Sequence, residues 1–195
     1  MNILAHLHLS GEEPDILVGN LMGDFVKGRL AEGRYPPRIT WGLELHRRID
    51  SFAGGHGAFL ASKRRLDPSV GLYRGVLVDL FYDHFLAAGW DSHAVEPLHR
   101  FIERSQSVAL SHVALFPERL ARLLPAIFGE WLPSYGSPEG IGRVLGRMAV
   151  RVGRPNPLAG GAGELIRCYE ELLEDFRSFY PELVAFATEF RERKV

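Results

Sequence analysis

The sequence has very little cysteine and no excess of charge of either sign. Cys168 is the single cysteine among 195 residues, so the chain can form no internal disulfide and no thiolate metal site. Lys and Arg total 23 against 24 Asp and Glu, a net charge of −1. A generally basic nucleic-acid-binding protein is therefore excluded, and we expect no nucleic-acid partner.

Long apolar runs are missing as well. No segment approaches the ~18 consecutive apolar residues of a membrane-spanning helix, and the first ten residues lack the basic start of a secretory signal. Hydrophobic residues make up 46% and charged residues 24%, which is typical of a soluble globular protein. We expect a single cytoplasmic domain over residues 1–195 that binds no membrane. The composition does not indicate the oligomeric state.

Strand patterns are absent too. No segment alternates apolar and polar residues convincingly, and no repeat of about 20 to 50 residues is visible. Helical periodicity predicts an all-α fold, a compact array of about seven to nine helices. Predicted helices include 39–52, 74–90, 95–110, 117–128 and 141–152. In the last third, Pro181 is expected to stop or kink an amphipathic helix, which resumes as a short terminal helix at Leu183.

The stretch 74–90, RGVLVDLFYDHFLAAGW, has neither proline nor internal glycine between Gly75 and Gly89. Its apolar residues cover almost the whole helical circumference, which is typical of a buried helix. Asp79 and Asp83 lie one turn apart on it, with His84 on an adjoining face. Because burying neighbouring carboxylates costs several kcal/mol, we expect a positive group against them, either an arginine or a metal ion.

Two further predicted helices carry polar pairs at i and i+4, which share a helical face. These pairs are Asn20 with Asp24 and His46 with Asp50. Three pairs on mostly apolar helices suggest that their polar faces converge in the interior, where carboxylates and imidazoles suit Mn²⁺, Mg²⁺, Fe²⁺ or Zn²⁺. The alternative is a buried ion-pair network with arginines: Arg47, Arg48 and Arg74.

The sequence offers no protein nucleophile. It has no G-x-S-x-G elbow, and Cys168 lies on an ordinary helix face without a nearby base. Water activated by a metal is the more economical nucleophile. His6 and His8 lie in an apolar opening segment, where a buried histidine is more often a core residue than a ligand.

Several short segments, in order, resemble one known family. They are MNILAHLHLS, GNLMGDFVKG, LHRRID, DLFYDHFLAAGW and the late FYP at 179–181. They are similar to the acyl carrier protein phosphodiesterase family, helical relatives of the HD-type phosphohydrolases. The resemblance implies a divalent metal, typically Mn²⁺, and removal of 4′-phosphopantetheine from holo acyl carrier protein. The matching positions are His6, Asn20, Asp24, His46, Arg47, Asp50, Asp79, Asp83 and His84.

Together these observations favour a metal-dependent phosphodiester hydrolase acting on acyl carrier protein. We expect the ion to be held by carboxylates and one histidine, and a basic side chain to steady the phosphate. The ligands are expected among Asp24, Asp50, Asp79, Asp83, His46 and His84, and the phosphate contact from Arg47 or Arg48. A phosphohydrolase of nucleotides or other small phosphoesters, and a non-catalytic helical module that binds an acidic partner, are the alternatives.

An acidic carrier protein would dock on a basic surface, even on an enzyme of nearly zero net charge. Two clusters qualify. One is the stripe Arg143, Arg147 and Arg151, spaced by four residues; the other is the run 63–65, KRR.

Overall fold

Helices and their connections make up all of the chain that is described. The computed structural model describes residues 3–30 and 33–193, and these ranges contain no strand, so the all-α prediction is confirmed. The α-helices are α1 (Ile3–Leu9), α2 (Pro14–Met22), α3 (Pro37–Gly55), α4 (Gly57–Arg65), α5 (Arg74–Ala88), α6 (Leu98–Ser111), α7 (Glu118–Ala126), α8 (Leu132–Ser134), α9 (Pro138–Val152), α10 (Gly161–Arg167) and α11 (Tyr169–Glu192).

The described ranges contain ten helices longer than the single turn α8, which is more than the predicted seven to nine. Part of the difference comes from Cys168, which separates α10 from α11 within what the periodicity predicts as one helix. Within the described ranges, no helix is both long and apolar enough to cross a membrane.

Helix α5 is the central element, as its apolar circumference predicts. Val78, Leu80, Phe81 and Tyr82 are entirely buried, and α1, α4, α9 and α11 pack around the helix. Burial on all sides requires each polar side chain of α5 to find a partner inside the protein.

Helices α2 and α3 cross with their backbones in close contact. A Cβ atom on Gly19 would lie 2.1 Å from the carbonyl oxygen of Ile39, and one on Gly42 would lie 2.4 Å from that of Ile16. Only glycine fits at both positions. This close approach brings the C-terminal end of α2 against the middle of α3, where His46 lies.

Pro181 lies inside α11, so the predicted break before a separate terminal helix is wrong. A proline inside a helix removes one backbone hydrogen bond and strains the preceding turn. Phe179, Tyr180 and Leu183 flank it and are buried. Their burial favours the continuous helix over a break.

Candidate metal centre

Three helices bring His6, Asn20 and His46 together beside Asp50. Helix α1 carries His6, α2 carries Asn20, and α3 carries both His46 and Asp50. The two imidazole rings are buried and stacked, with 3.9 Å between centroids and 13° between planes. Residues up to 44 positions apart in sequence therefore form one cluster where α1, α2 and α3 meet.

Asn20 determines how both imidazoles are oriented. Its side-chain nitrogen donates to the His6 carbonyl oxygen (2.7 Å) and to Ser10 Oγ (3.0 Å), which turns its Oδ1 toward His6 Nδ1 at 2.8 Å. The backbone oxygen of Asn20 lies 2.8 Å from His46 Nδ1. Both acceptors are oxygens, so each histidine carries its proton on Nδ1.

The unprotonated Nε2 atoms then face Asp50. His6 Nε2 lies 3.3 Å from Asp50 Oδ1, and His46 Nε2 lies 3.2 Å from Asp50 Oδ2. Burial lowers the pKa of His6 to about 4, so this ring is neutral at pH 7.

Two nitrogen lone pairs and a carboxylate thus converge, and one ligand atom from each residue lies within 4.8 Å of the others. His6 Nε2 is buried and has no hydrogen-bond partner among the described residues. The three ligand atoms together offer two lone pairs and a negative charge. A divalent cation would supply the positive charge that this cluster lacks. Histidine ligands with their other nitrogen held by an oxygen acceptor are the usual arrangement in metal sites. His6, His46 and Asp50 therefore have the chemistry to hold a metal ion.

Asp24 lies at the edge of this cluster. It is in the 3₁₀ turn Gly23–Phe25 that follows α2, with Oδ1 3.9 Å from His46 Nε2 and most of the side chain exposed. A Cβ on Gly23 would lie 2.0 Å from the His46 ring, so only glycine at this position leaves room for the imidazole.

Two cavities meet at the cluster. The first has a volume of about 400 Å³, is lined by His6, Asn20, Asp24 and His46, and continues between α7 and α9 along apolar side chains. The second has a volume of about 350 Å³ and contains three carboxylates: Asp24, Asp50 and Asp79. Asp24 and Met148 line both, so the cluster lies where an apolar cavity joins an acidic one.

Asp79 faces the acidic cavity from α5. Burial raises the pKa of Asp79, and the nearby charges of Asp50 and Asp24 raise it further. The structure thus brings Asp79 to the same cavity as Asp24 and Asp50.

Asp83 does not reach this cavity. It is fully buried, and its two carboxylate oxygens accept backbone N–H groups from Leu4 (2.8 Å) and Ala5 (2.9 Å) in the first turn of α1. Burial raises the pKa of Asp83 to about 7, although these two hydrogen bonds act in the opposite direction. The positive group expected against it is therefore the N-terminal end of a helix.

His84 also points away from the cluster. Its Nδ1 lies 2.8 Å from the carbonyl oxygen of Tyr135, and its Nε2 lies 3.1 Å from the hydroxyl of Tyr169. Both ring nitrogens hold hydrogen bonds that join α5 to α11 and to the segment after α8. His84 therefore packs between helices, away from the other candidate residues.

The candidate arginines have different surroundings from those expected. Arg47 donates to the carbonyl oxygens of Gly28 (2.7 Å) and Val26 (3.3 Å), which ties the chain after α2 to α3. Arg48 is exposed, and Arg74 donates to the Pro68 carbonyl at 3.3 Å. These contacts do not correspond to the ion-pair network of the alternative interpretation.

The far wall of the first cavity comes from residues that carry no sequence motif. Leu123, Trp131, Val144 and Met148 line it, together with two exposed arginines, Arg119 and Arg151. Trp131 ends a π-helical turn, Ile127–Trp131, and such turns are frequent at functional sites. Sequence periodicity carries no signal for a π turn, so this wall could not be predicted.

Comparisons with known proteins agree with the sequence motifs. A sequence model described as "Acyl carrier protein phosphodiesterase" matches residues 1–183. Proteins of that name from Serratia proteamaculans, Yersinia enterocolitica and Pectobacterium atrosepticum are 36%, 35% and 33% identical to this chain. The alignments cover 94%, 96% and 96% of this chain and 96%, 97% and 97% of those proteins. No solved structure gives a significant match.

Proposed function

The chain belongs to the acyl carrier protein phosphodiesterase family, and from this premise we propose that it hydrolyses the phosphodiester of holo acyl carrier protein. Water adds to phosphorus, and the bond from phosphorus to the carrier's serine oxygen breaks. The serine oxygen takes up a proton, so the products are apo carrier protein and 4′-phosphopantetheine.

One observation carries this proposal. Two buried histidines, both held by Asn20 with Nε2 unprotonated, converge with Asp50 at the end of a cavity. Phosphodiester hydrolysis needs a positive charge against the phosphate oxygens and an acceptor for the proton of water. A cluster in which two buried imidazoles and the partly exposed Asp50 carboxylate direct electron pairs to one place meets the first need once it binds a cation.

We propose His6, His46 and Asp50 as the protein ligands of that cation, with Asp24 as the next donor because its Oδ1 is 3.9 Å from His46 Nε2. Two nitrogens with carboxylate oxygens suit Mn²⁺ or Fe²⁺, and Mg²⁺ less well. When bound, the ion neutralises the phosphate and lowers the pKa of water. Mn²⁺ is our first choice.

Asp79 is our proposed proton acceptor. Its carboxylate lies on the acidic cavity beside Asp50 and Asp24, and its pKa is raised by burial. A base with a pKa nearer neutrality accepts a proton from water more effectively. Asp83 and His84 act in this proposal through the packing of α5, because their polar atoms are engaged elsewhere.

The test is product analysis by mass spectrometry. Holo acyl carrier protein incubated with the enzyme and Mn²⁺ should lose the mass of 4′-phosphopantetheine less one water, and EDTA should prevent this loss. A panel of nucleotides and small phosphoesters, run in parallel, tests the alternative substrates. Intact holo carrier together with rapid nucleotide hydrolysis would overturn the proposal.

Asp79→Asn tests whether Asp79 acts as the proton acceptor and not as a metal ligand. Asparagine keeps the shape but cannot accept the proton, so kcat should fall about 100-fold or more while KM for the carrier changes little. The acid limb of the pH profile of kcat should also disappear. A variant with wild-type kcat would rule out Asp79 as the proton acceptor.

A further inference from the structure

The first cavity extends well beyond the metal-ligand cluster. It has a volume of about 400 Å³, and four residues of the cluster region form only one end of it. The remainder runs between α7 and α9. Its size falls in the range of about 300–1,000 Å³ typical of small-molecule sites.

The lining of this extension is apolar with few polar groups. Leu123, Val144 and Met148 form its walls, and Arg151 lies with its guanidinium 5.1 Å from the centre of the Trp131 ring. Trp131 is 7% exposed, and its Nε1–H has no hydrogen-bond partner among the described residues. A buried donor without a protein partner is uncommon and is available to an acceptor from outside the chain.

We propose that this cavity holds the pantetheine arm of the substrate, with Trp131 Nε1–H donating to one of the arm's amide carbonyl oxygens. This inference rests on the proposed function. The arm is attached directly to the reacting phosphate, so it must occupy space that begins at the cluster, as this cavity does. Its dimethyl group and methylene chains match the apolar walls, and its amides need donors of the kind that Trp131 offers.

The assignment distinguishes the two halves of the diester. The arm enters the cavity, and the carrier protein remains outside on the surface. The product 4′-phosphopantetheine should therefore compete for the cavity, while the other product, the apo carrier, should not. Trp131 thus acts in recognition of the arm.

The first experiment fills the cavity. Leu123→Trp adds volume at a half-buried wall position, and Leu173→Trp makes the same change in a separate cavity beside α5 and α11. We compare kcat/KM for holo carrier with kcat/KM for bis(4-nitrophenyl) phosphate, which has no arm. Leu123→Trp should lower this ratio at least about tenfold, and Leu173→Trp should leave it at the wild-type value.

The second experiment removes only the donor. Trp131→Phe keeps an aromatic ring but loses the N–H, and inhibition by 4′-phosphopantetheine should weaken about 3- to 10-fold, the usual effect of one neutral hydrogen bond. Inhibition by apo carrier protein should stay the same. Circular dichroism and melting curves check that each variant is folded.

The outcomes separate this inference from the proposed function. If the wild type releases 4′-phosphopantetheine but Leu123→Trp and Trp131→Phe keep the wild-type ratio and inhibition, the cavity assignment is wrong and the function stands. If apo-carrier inhibition weakens instead, the cavity receives the carrier side. If the wild type does not cleave holo carrier, both proposals fail.

Discussion

At the scale of single residues, Asn20 is the side chain on which the candidate centre depends most. It is fully buried and bonds both His6 and His46, through its side chain and its backbone oxygen respectively. The backbone contact survives any substitution, whereas the side-chain contact does not. A change at this position therefore acts mainly on His6.

Asn20→Leu should weaken Mn²⁺ binding about 10- to 100-fold, the usual effect of losing a residue that orients a metal-binding histidine. His6 loses the acceptor that keeps its proton on Nδ1. Calorimetric titration of Mn²⁺ into chelator-treated protein measures the change. Asn156→Leu, in the connection after α9, is the matched control, and equal affinities for the two variants would contradict the proposed centre.

Asp83 is the second residue with a testable consequence. Asp83→Ala would leave the Leu4 and Ala5 N–H groups buried without acceptors, at about 1–3 kcal/mol each. We expect the melting temperature in EDTA to fall accordingly. If the variant melts like the wild type in EDTA and loses only its stabilisation by Mn²⁺, Asp83 is a metal ligand.

The pKa of Asp83 also predicts a pH dependence of stability. It is raised from 3.8 to about 7, so the folded protein holds this proton across a range where the unfolded chain has released it. The contribution is present below about pH 4 and is lost as the pH rises through about 7. In urea titrations, the free energy of unfolding of the wild type should fall more steeply over this range than that of Asp83→Asn. Parallel curves would contradict the prediction.

At the scale of elements, the crossing of α2 and α3 determines whether the centre forms. Gly19 precedes Asn20, and Gly42 lies one turn before His46, so the contact that glycine permits is next to the site. The two helices can approach only as closely as these residues allow. Any side chain here separates the helices that carry the ligands.

Gly42→Ala should therefore destabilise the protein by about 1–3 kcal/mol and weaken Mn²⁺ binding, because its Cβ would lie 2.4 Å from the Ile16 oxygen and 2.9 Å from Gly19 Cα. Gly146→Ala is the control. It is inside α9 with open space around a Cβ, so it should be neutral or stabilise by up to about 1 kcal/mol. Chemical denaturation of both variants gives the comparison.

At the scale of the whole molecule, the arginines of α9 follow one another at four-residue intervals along the helix that forms a wall of the first cavity. Arg151 lines the cavity over Trp131, and Arg147 pairs with Glu130. Arg143 is exposed on the same helix. The other basic run is partly engaged, since Arg65 pairs with Asp175. We therefore propose that the α9 stripe is the docking surface for an acidic carrier protein.

Arg143→Glu with Arg151→Glu should raise KM for holo carrier about tenfold or more at low salt and reduce the salt dependence of KM. Lys63→Glu with Arg64→Glu makes the same charge change on α4, where neither residue lines the cavities described above. This control should keep the wild-type KM. The reverse result would move the docking surface to α4.

The sequence by itself determined the fold class and several of the converging side chains. Apolar periodicity predicts that 74–90 is a buried helix, because the all-round pattern leaves no face for water. The i, i+4 spacing of His46 and Asp50 predicts that both face one side, and a helix guarantees that they do. The single cysteine excludes a thiolate site whatever the fold.

Only the tertiary structure decided which candidates meet. Spacing places Asp79 and Asp83 one turn apart, but it does not indicate that Asp83 would receive the first turn of α1, 78 and 79 positions away. His6 is similar, since a lone histidine in an apolar segment gives no sign that Asn20 and His46 will surround it. Local periodicity specifies the direction of a side chain on its own helix, whereas its partner depends on how distant helices pack.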